Sequence, residues 1–428
     1  MKNLIIMIFL SIATVAICSI NVFYDSHAVF QGVTANIDAG SQGVIAYIYR
    51  GDLWTKDLSG GDAKKLACGG DIVKPRFSCS GRWLAYRRYS LKKYELWLVR
   101  SDGTSHTKVA VMGLPGDYAW SPSEDIIAYI AEDDTLHLCD AVNRTDRSLV
   151  KLEHDRLFSW SPDGRRLAGE LSAVSIGTIG VDGRGVKEIY SMGSLSQDGL
   201  WYCDWSPDGR EILFWIQPGH GLSAMADGIP LKAVSAEGGK PRELISRALI
   251  YDDFREYSPD GKYLAITDGG NRETWTDKHI AVVEISTGTK SVLTPPGVSA
   301  ISPAWSPDRK QIAYVEGPDI GAVGGGEEAI AGIGRRRIWI VDRDGSNRHQ
   351  LIKDSAFREE RPKWSPDGAF ILFFRINSKD QVSLWKSDRD GGSVDPVIEE
   401  LCDTSPGFGY YGYANWDICL TRWKGRNK

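Results

Sequence analysis

The sequence predicts an all-β fold, a single closed β-propeller of eight four-stranded blades. Three observations carry that prediction. The phrase Trp-Ser-Pro-Asp-Gly stands intact at residues 160–164, 205–209 and 364–368, and in worn form from Phe77, Trp120, Tyr257 and Trp305. Its anchor aromatics lie 43, 40, 45, 52, 48 and 59 residues apart, and periods of roughly 40–50 residues belong to propeller blades. Short apolar strands separated by turn residues follow nearly every anchor, which is the make-up of a four-stranded antiparallel blade. Seven blades is the alternative count, because the unit around Ile179-Gly180-Val181 is weak.

Each part of the repeat has a physical task. Proline presets φ for the second position of a tight turn, and glycine relieves the backbone as the chain reverses. Ser-Pro-Asp-Gly therefore predicts the hairpin between strands one and two. The second strand is apolar, as in Leu84-Ala85-Tyr86, Ile127-Ala128-Tyr129, Ile212-Leu213-Phe214, Leu264-Ala265-Ile266, Ile312-Ala313-Tyr314 and Ile371-Leu372-Phe373. A third strand, such as Ile338-Trp339-Ile340-Val341, ends in a turn like Asp344-Gly345, and a weaker fourth strand leads to the next anchor. The anchor and the residue two before it (Pro75, Tyr118, Phe158, Cys203, Pro303, Pro362) share one face by the strand period of two. Burying a tryptophan removes roughly 150–250 Å² from water, so packing explains these residues without a ligand.

The two ends are complementary. The first unit, Val44-Ile45-Ala46-Tyr47 with Leu53-Trp54, lacks an anchor, whereas Tyr413 to Thr421 form a surplus inner strand. Pairing that terminal strand with the first unit would close the ring and leave no long exposed edge. The propeller is expected to span residues 43–428, after a short lead-in at 29–42. Residues 1–28 read as a secretory signal, with Lys2, an apolar stretch from Leu4 to Ile20 and small residues at Ser26 and Ala28. An uncleaved membrane anchor is the alternative, and Ile17 before Cys18 argues against lipidation. The expected location is the periplasm or another extracytoplasmic compartment. Cys68, Cys79, Cys139, Cys203, Cys402 and Cys419 are either disulfide partners, as export permits, or buried thiols.

Composition narrows the function classes. Charged residues make up 25% and hydrophobic ones 42% of the 428 residues, as in ordinary soluble globular proteins. The net charge of −5 argues against a nucleic-acid partner. Arg335-Arg336-Arg337, the notable basic run, reads as the solvated start of a strand. No cofactor or metal is expected: the seven histidines lack metal-ligand spacing. Asp342-x-Asp344-Gly345 and Asp388-x-Asp390-Gly391 sit where each blade needs a turn and lack the glutamate of a calcium loop. Gly321 with Gly324-Gly325-Gly326 reads as a flexible insertion.

The recurring Trp-Ser-Pro-Asp-Gly, Ile-Ala-Tyr, Leu-Trp and Asp-Gly elements resemble the WD40-like repeat of the TolB family over about residues 43–428. They also resemble the propeller domains of tricorn- and prolyl-oligopeptidase-type proteins. The short segment 29–42 departs from TolB, which has an α/β domain ahead of its propeller. The resemblance implies a non-catalytic periplasmic protein that binds another cell-envelope protein or peptide. The Gly-x-Ser-x-Gly elbow of the peptidase relatives does not occur. The rival expectation is a propeller enzyme acting on peptide or glycan, or the accessory propeller of a peptidase, with its site at the mouth of the central channel.

Two sets of residues are candidates for binding. Long connections between strands two and three occur in three neighbouring units, at 217–228, 268–278 and 317–334. Loops of this length are often functional, and here they bring His220, Arg272, Trp275, Asp277, Glu327 and Glu328 to one sector of one face. The linkers Tyr251-Asp252-Asp253 and Phe408-Gly409-Tyr410-Tyr411 join them. Tryptophan and arginine dominate interface hot spots, so Trp275 is the expected anchor, flanked by Arg272 and Asp277; packing of Trp275 onto its own blade is the alternative. The second set precedes each anchor and faces the channel: Arg76, Ala119, Ser159, Asp204, Glu256, Ala304, Lys363 and Asn415. Arg76 and Lys363 opposing Asp204 and Glu256 could receive a peptide end or small ligand, or simply line a hydrated channel.

Overall fold

The computed structural model describes residues 43–69, 71–112, 118–152, 158–193, 198–219, 228–402 and 412–413. The expected signal, the lead-in, His220, Phe408 to Tyr411, Asn415 and nearly all of the expected closing strand lie outside the described residues. The described chain is nearly all β. A first sheet holds Val44–Tyr49, Asp52–Asp57 and Lys64–Ala67 (unit 1). Four-stranded antiparallel sheets follow, each running in chain order: Ile72–Phe77 to Thr107–Met112 (unit 2), Tyr118–Trp120 to Thr145–Lys151 (unit 3) and Phe158–Trp160 to Lys187–Ser191 (unit 4). An eight-stranded sheet comprises two such sets, Gly199–Trp205 to Arg242–Ala248 (unit 5) and Arg255–Tyr257 to Lys290–Val292 (unit 6). A single residue pair, Ala248 with Asp268, joins them. Units 7 and 8 run from Val298–Trp305 to His349–Gln350 and from Arg358–Trp364 to Val394–Cys402. The weak stretch at Ile179 lies in a regular third strand, Ser175–Gly180.

The Ser-Pro-Asp-Gly turn satisfies its own polar groups. The serine hydroxyl donates to the aspartate two residues on, at 2.6 Å for Ser161, Ser206, Ser306 and Ser365 and 2.7 Å for Ser258. The same hydroxyl accepts the amide five residues on, at 2.9 Å from Arg166, Glu211, Gln311 and Phe370. The glycine amide closes the turn onto the serine carbonyl, as Gly164 does onto Ser161 at 2.9 Å. Gly164, Gly209, Gly261 and Gly368 all sit near φ +70°, where a side chain is disfavoured. Arg309, which replaces glycine in the worn copy, is held at φ 65°.

The anchor tryptophans tie each unit to the one before it. The indole N–H of Trp120, Trp160, Trp305 and Trp364 donates to the carbonyls of Arg76, Ala119, Glu256 and Ala304, at 3.0 to 3.1 Å. Apolar clusters fill the space between consecutive units. Leu84 and Tyr86 pack with Ala46 and Leu53, and Leu213 and Trp215 pack with Leu264 and Ile266. The last unit packs on the first: Ile45, Tyr47 and Leu58 share a cluster with Phe370, Leu372 and Phe374. Glu400 accepts from Tyr49 Oη at 3.3 Å and pairs with Arg50 at 3.2 Å across the same junction.

Two features depart from the sequence expectations. The glycine-rich insertion is not a flexible loop throughout, because it runs into a helix, α1, at Glu327–Gly334. Glu327 and Glu328 favour its first turn electrostatically, and Ala329 and Ile333 form a buried apolar pair four residues apart. Inner strands containing proline are also bulged. Lys74, Ser302 and Arg361, each directly before a proline, adopt φ of 51° to 56°, and register shifts there. Proline cannot donate to a sheet ladder, so a bulge accommodates it. Cys68 is an exposed free thiol and Cys139 a buried one, and Cys79 Sγ lies 3.8 Å from Asp125 Oδ1.

Candidate functional site

The residues preceding the anchors divide by local chemistry. Lys363 Nζ lies 3.2 Å from Glu256 Oε1, and the two side chains keep about a quarter of their exposure (25% and 27%). The pair joins units 6 and 8, with the buried Ala304 at the same position of unit 7. Glu256 is held further by the Trp305 amide, which donates to its second oxygen at 2.8 Å. Asp204 is buried and accepts from the Trp205 amide at 2.8 Å and Ser159 Oγ at 3.3 Å. Arg76 is half-buried, with Nη1 at 3.4 Å from the Pro75 carbonyl. Of the four channel charges, the structure brings Glu256 and Lys363 into one ion pair.

The long loops behave differently from the sequence expectation. Trp275 is not a surface anchor, because it is 3% exposed and packed against Ala329, Ile333 and Ile320 beneath α1. Burial of so large an apolar ring outweighs exposure. Arg272 and Asp277 are half-buried on the same loop, and Asp277 pairs with Arg247 at 3.3 Å. Glu327 and Glu328 are exposed at the start of α1. Asp319 joins two of the loops, accepting from Thr276 Oγ1 at 2.7 Å, the Asp277 amide at 3.0 Å and the Gly321 amide at 2.9 Å. Burial alone would raise the Asp319 carboxyl, but these donors hold it below the usual carboxylate range.

Three residues central to this sector were not among the binding candidates the sequence offered. Lys278 is fully buried and donates to the carbonyls of Gly270 at 2.5 Å and Thr276 at 3.0 Å. Burial pushes its ammonium down to about 8, against the opposing pull of Asp277. Arg336, expected to be solvated, is 3% exposed. Its guanidinium bonds Thr274 Oγ1 at 2.7 Å, Glu360 Oε1 at 3.1 Å and the Gly412 carbonyl at 3.2 Å. A buried arginine needs such partners, and they come from three distant parts of the chain. Gly412 is pressed onto the loops: a β-carbon there would lie 2.8 Å from Thr274 Oγ1 and 2.9 Å from Trp275 Cε3. Tyr413 stacks on Tyr251, with centroids 3.7 Å apart. The Arg-Arg-Arg run was the one available signal, and charge patterning alone could not tell its buried member.

The turn aspartates resembling calcium ligands serve their own turns. Asp344 accepts from the Ser346 amide and hydroxyl at 2.9 and 2.6 Å, and Asp388 from the amides of Gly392 and Ser393 at 2.7 and 2.9 Å. Among the described residues no helix is long and apolar enough to cross a membrane.

No family model matches the chain. An uncharacterised protein of Agrobacterium fabrum is 28% identical over 296 residues, 64% of this chain and 85% of that protein. The dipeptidyl peptidase 4 structure from Porphyromonas gingivalis is similar with a TM-score of 0.59 at 11% identity, over 88% of this chain and 63% of that one. The Tol-Pal system protein TolB of Rhizorhabdus wittichii is 33% identical over 73 residues, 17% of this chain and 16% of TolB. The chain is similar to TolB over that stretch, and its successive four-stranded antiparallel sheets are those expected of a β-propeller. In the propeller, the connections between strands two and three leave each sheet at one end and the two hairpin turns at the other, as the sequential strand order requires. The Trp275 sector and the Ser-Pro-Asp-Gly turns therefore occupy opposite faces.

Proposed function

We propose that this chain is a non-catalytic interaction propeller of the cell envelope, closed as eight blades, whose protein partner seats on the looped face. One observation carries the reading: loops from two units and the segment at Gly412 form a pre-built platform under α1. Its interior is fixed by Trp275, Lys278 and Arg336, so a partner need not supply the energy of ordering the loops. Above that interior, α1 presents Ile330 at 63% exposure beside Glu327 and Glu328. An exposed aliphatic side chain on a rigid, charged rim suits a hot-spot contact better than the buried Trp275 does.

The eight-blade count is supported by the packing of unit 8 on unit 1 through Ile45, Tyr47 and Phe370. The apolar leader at residues 4–20 supports export, and the TolB-like repeat supports a periplasmic role. Cross-linked capture from native membranes tests the function. A protein captured by the wild type and lost with Ile330→Asp, at unchanged melting temperature, is the expected result. The same capture by both forms would refute the looped face as the site. Turnover of peptide or glycan that is abolished by Glu256→Gln would instead establish the rival enzyme at the channel mouth.

A further inference from the structure

We propose a second binding site, on the face opposite the long loops, that takes an acidic peptide segment. An open cleft of about 730 Å³ runs there between units 6 and 7, within the range of ligand-binding clefts. Its walls are the unit 6 hairpin at Asp260, Lys262 and Tyr263, the unit 7 turns at 308–311 and 342–344, and Arg389 of unit 8.

The charges in this cleft are unequally committed. Asp260 is paired with Arg309 at 3.1 Å, and Asp308 with Arg389 at 2.9 Å. Asp342 accepts from Gln311 Nε2 at 3.1 Å and Asn347 Nδ2 at 2.7 Å, while Asp344 caps its own turn through Ser346. Burial alone would raise the Asp260 and Asp308 carboxyls, but the Ser258 and Ser306 hydroxyls and the two arginines hold both below the usual range. These carboxylates are already paired with arginines or hydrogen-bonded. Lys262, Lys310 and Arg343 are exposed at the cleft, and Arg343 also acts electrostatically on the neighbouring Asp344. Arg343 lies over the Tyr263 ring, 4.9 Å from its centroid, and Tyr263 in turn packs against Trp305 at 6.5 Å. The aromatic backing gives the guanidinium a defined place.

Three exposed cations, one of them backed by an aromatic ring, favour an anion. The carboxylates between them select against a long phosphate backbone, since Asp342 and Asp344 would face its charges. The net charge of −5 adds to that repulsion. A peptide matches the mixture: its Asp and Glu side chains meet the cations, and its amide N–H groups meet the spare lone pairs of the fixed carboxylates. Rim charges of this kind act mainly on encounter and are screened by salt.

The test uses the full chain and a short, labelled peptide rich in Asp and Glu, read by fluorescence anisotropy, with a Lys-rich peptide and inorganic phosphate as comparators. The acidic peptide should bind, and K310E together with R343E should weaken it about tenfold or more, as loss of charge complementarity does. Ile330→Asp should leave this binding unchanged, so the outcome is independent of the looped-face reading. Peptide binding that survives the double variant overturns the proposal. So does displacement by inorganic phosphate at equal concentration, which would mark a simple anion site. Should the double variant fold poorly, chemical-shift changes at Tyr263 on adding peptide to the wild type report the site, and their absence overturns it.

Discussion

Lys278 shows how one residue can be fixed by the fold against its own solvation. A fully buried ammonium is costly unless hydrogen-bonded, and its bonds to the Gly270 and Thr276 carbonyls hold the loop closed around it. Burial lowers its affinity for the proton to about 8 from 10.5, Asp277, Glu273 and Asp319 pull it up, and Arg247 pushes it down again. The unfolded chain therefore retains a proton between about 8 and 10.5 that the folded chain has released. Stability contributed by this residue rises with pH across that window. Denaturation of wild type and Lys278→Met should show a difference that shifts in favour of the wild type between these values. A difference that stays flat, or an NMR titration midpoint for Lys278 near the ordinary 10.5, would contradict the buried site. Arg336 makes the same point: the middle member of a basic run is the loop sector's internal brace.

At the scale of elements, α1 and the 268–278 loop form one packing unit. Trp275, Ala329 and Ile333 are 2–3% exposed together. Trp275→Ala should cost about 3–5 kcal/mol, the range for removing a large buried aromatic, and urea denaturation would measure it. A loss below about 0.5 kcal/mol, typical of exposed positions, would mean that the indole is not the support of α1. The contrast with Ile330→Asp separates the two roles, one beneath the helix and one on it. The proline bulges act at this scale as well. They let inner strands keep pairing after Lys74, Ser302 and Arg361 while the anchor aromatic still lands on the buried face.

For the whole molecule, the decisive feature is that units are joined chiefly side to side. Anchor indoles reach the carbonyl of the preceding unit, and apolar clusters span the junctions. Such an array leaves two exposed faces at its ends unless they meet, and unit 8 packs on unit 1. Deleting residues 410–428 would remove the proposed closing strand together with the Gly412–Tyr413 contacts on Arg336 and Tyr251. The truncated chain should melt earlier and over a broader range, measured by circular dichroism. A transition as sharp and as high as that of the full chain would refute closure by the terminal strand.

The sequence by itself determined the repeat, its turns and its buried strands. Those follow from local rules: glycine at positive φ, a serine–aspartate turn that satisfies itself, and a period of two that alternates faces. The long loops were legible as well, because they interrupt a regular period. Their contents were not. Whether Trp275 faces water or core, whether Arg336 is solvated, and which partner Lys363 chooses depend on residues far away in the chain: Ile333 for the first, Thr274 and Gly412 for the second, Glu256 for the third. Only the tertiary structure decides these, because burial and pairing are properties of the space between units, which no local pattern encodes.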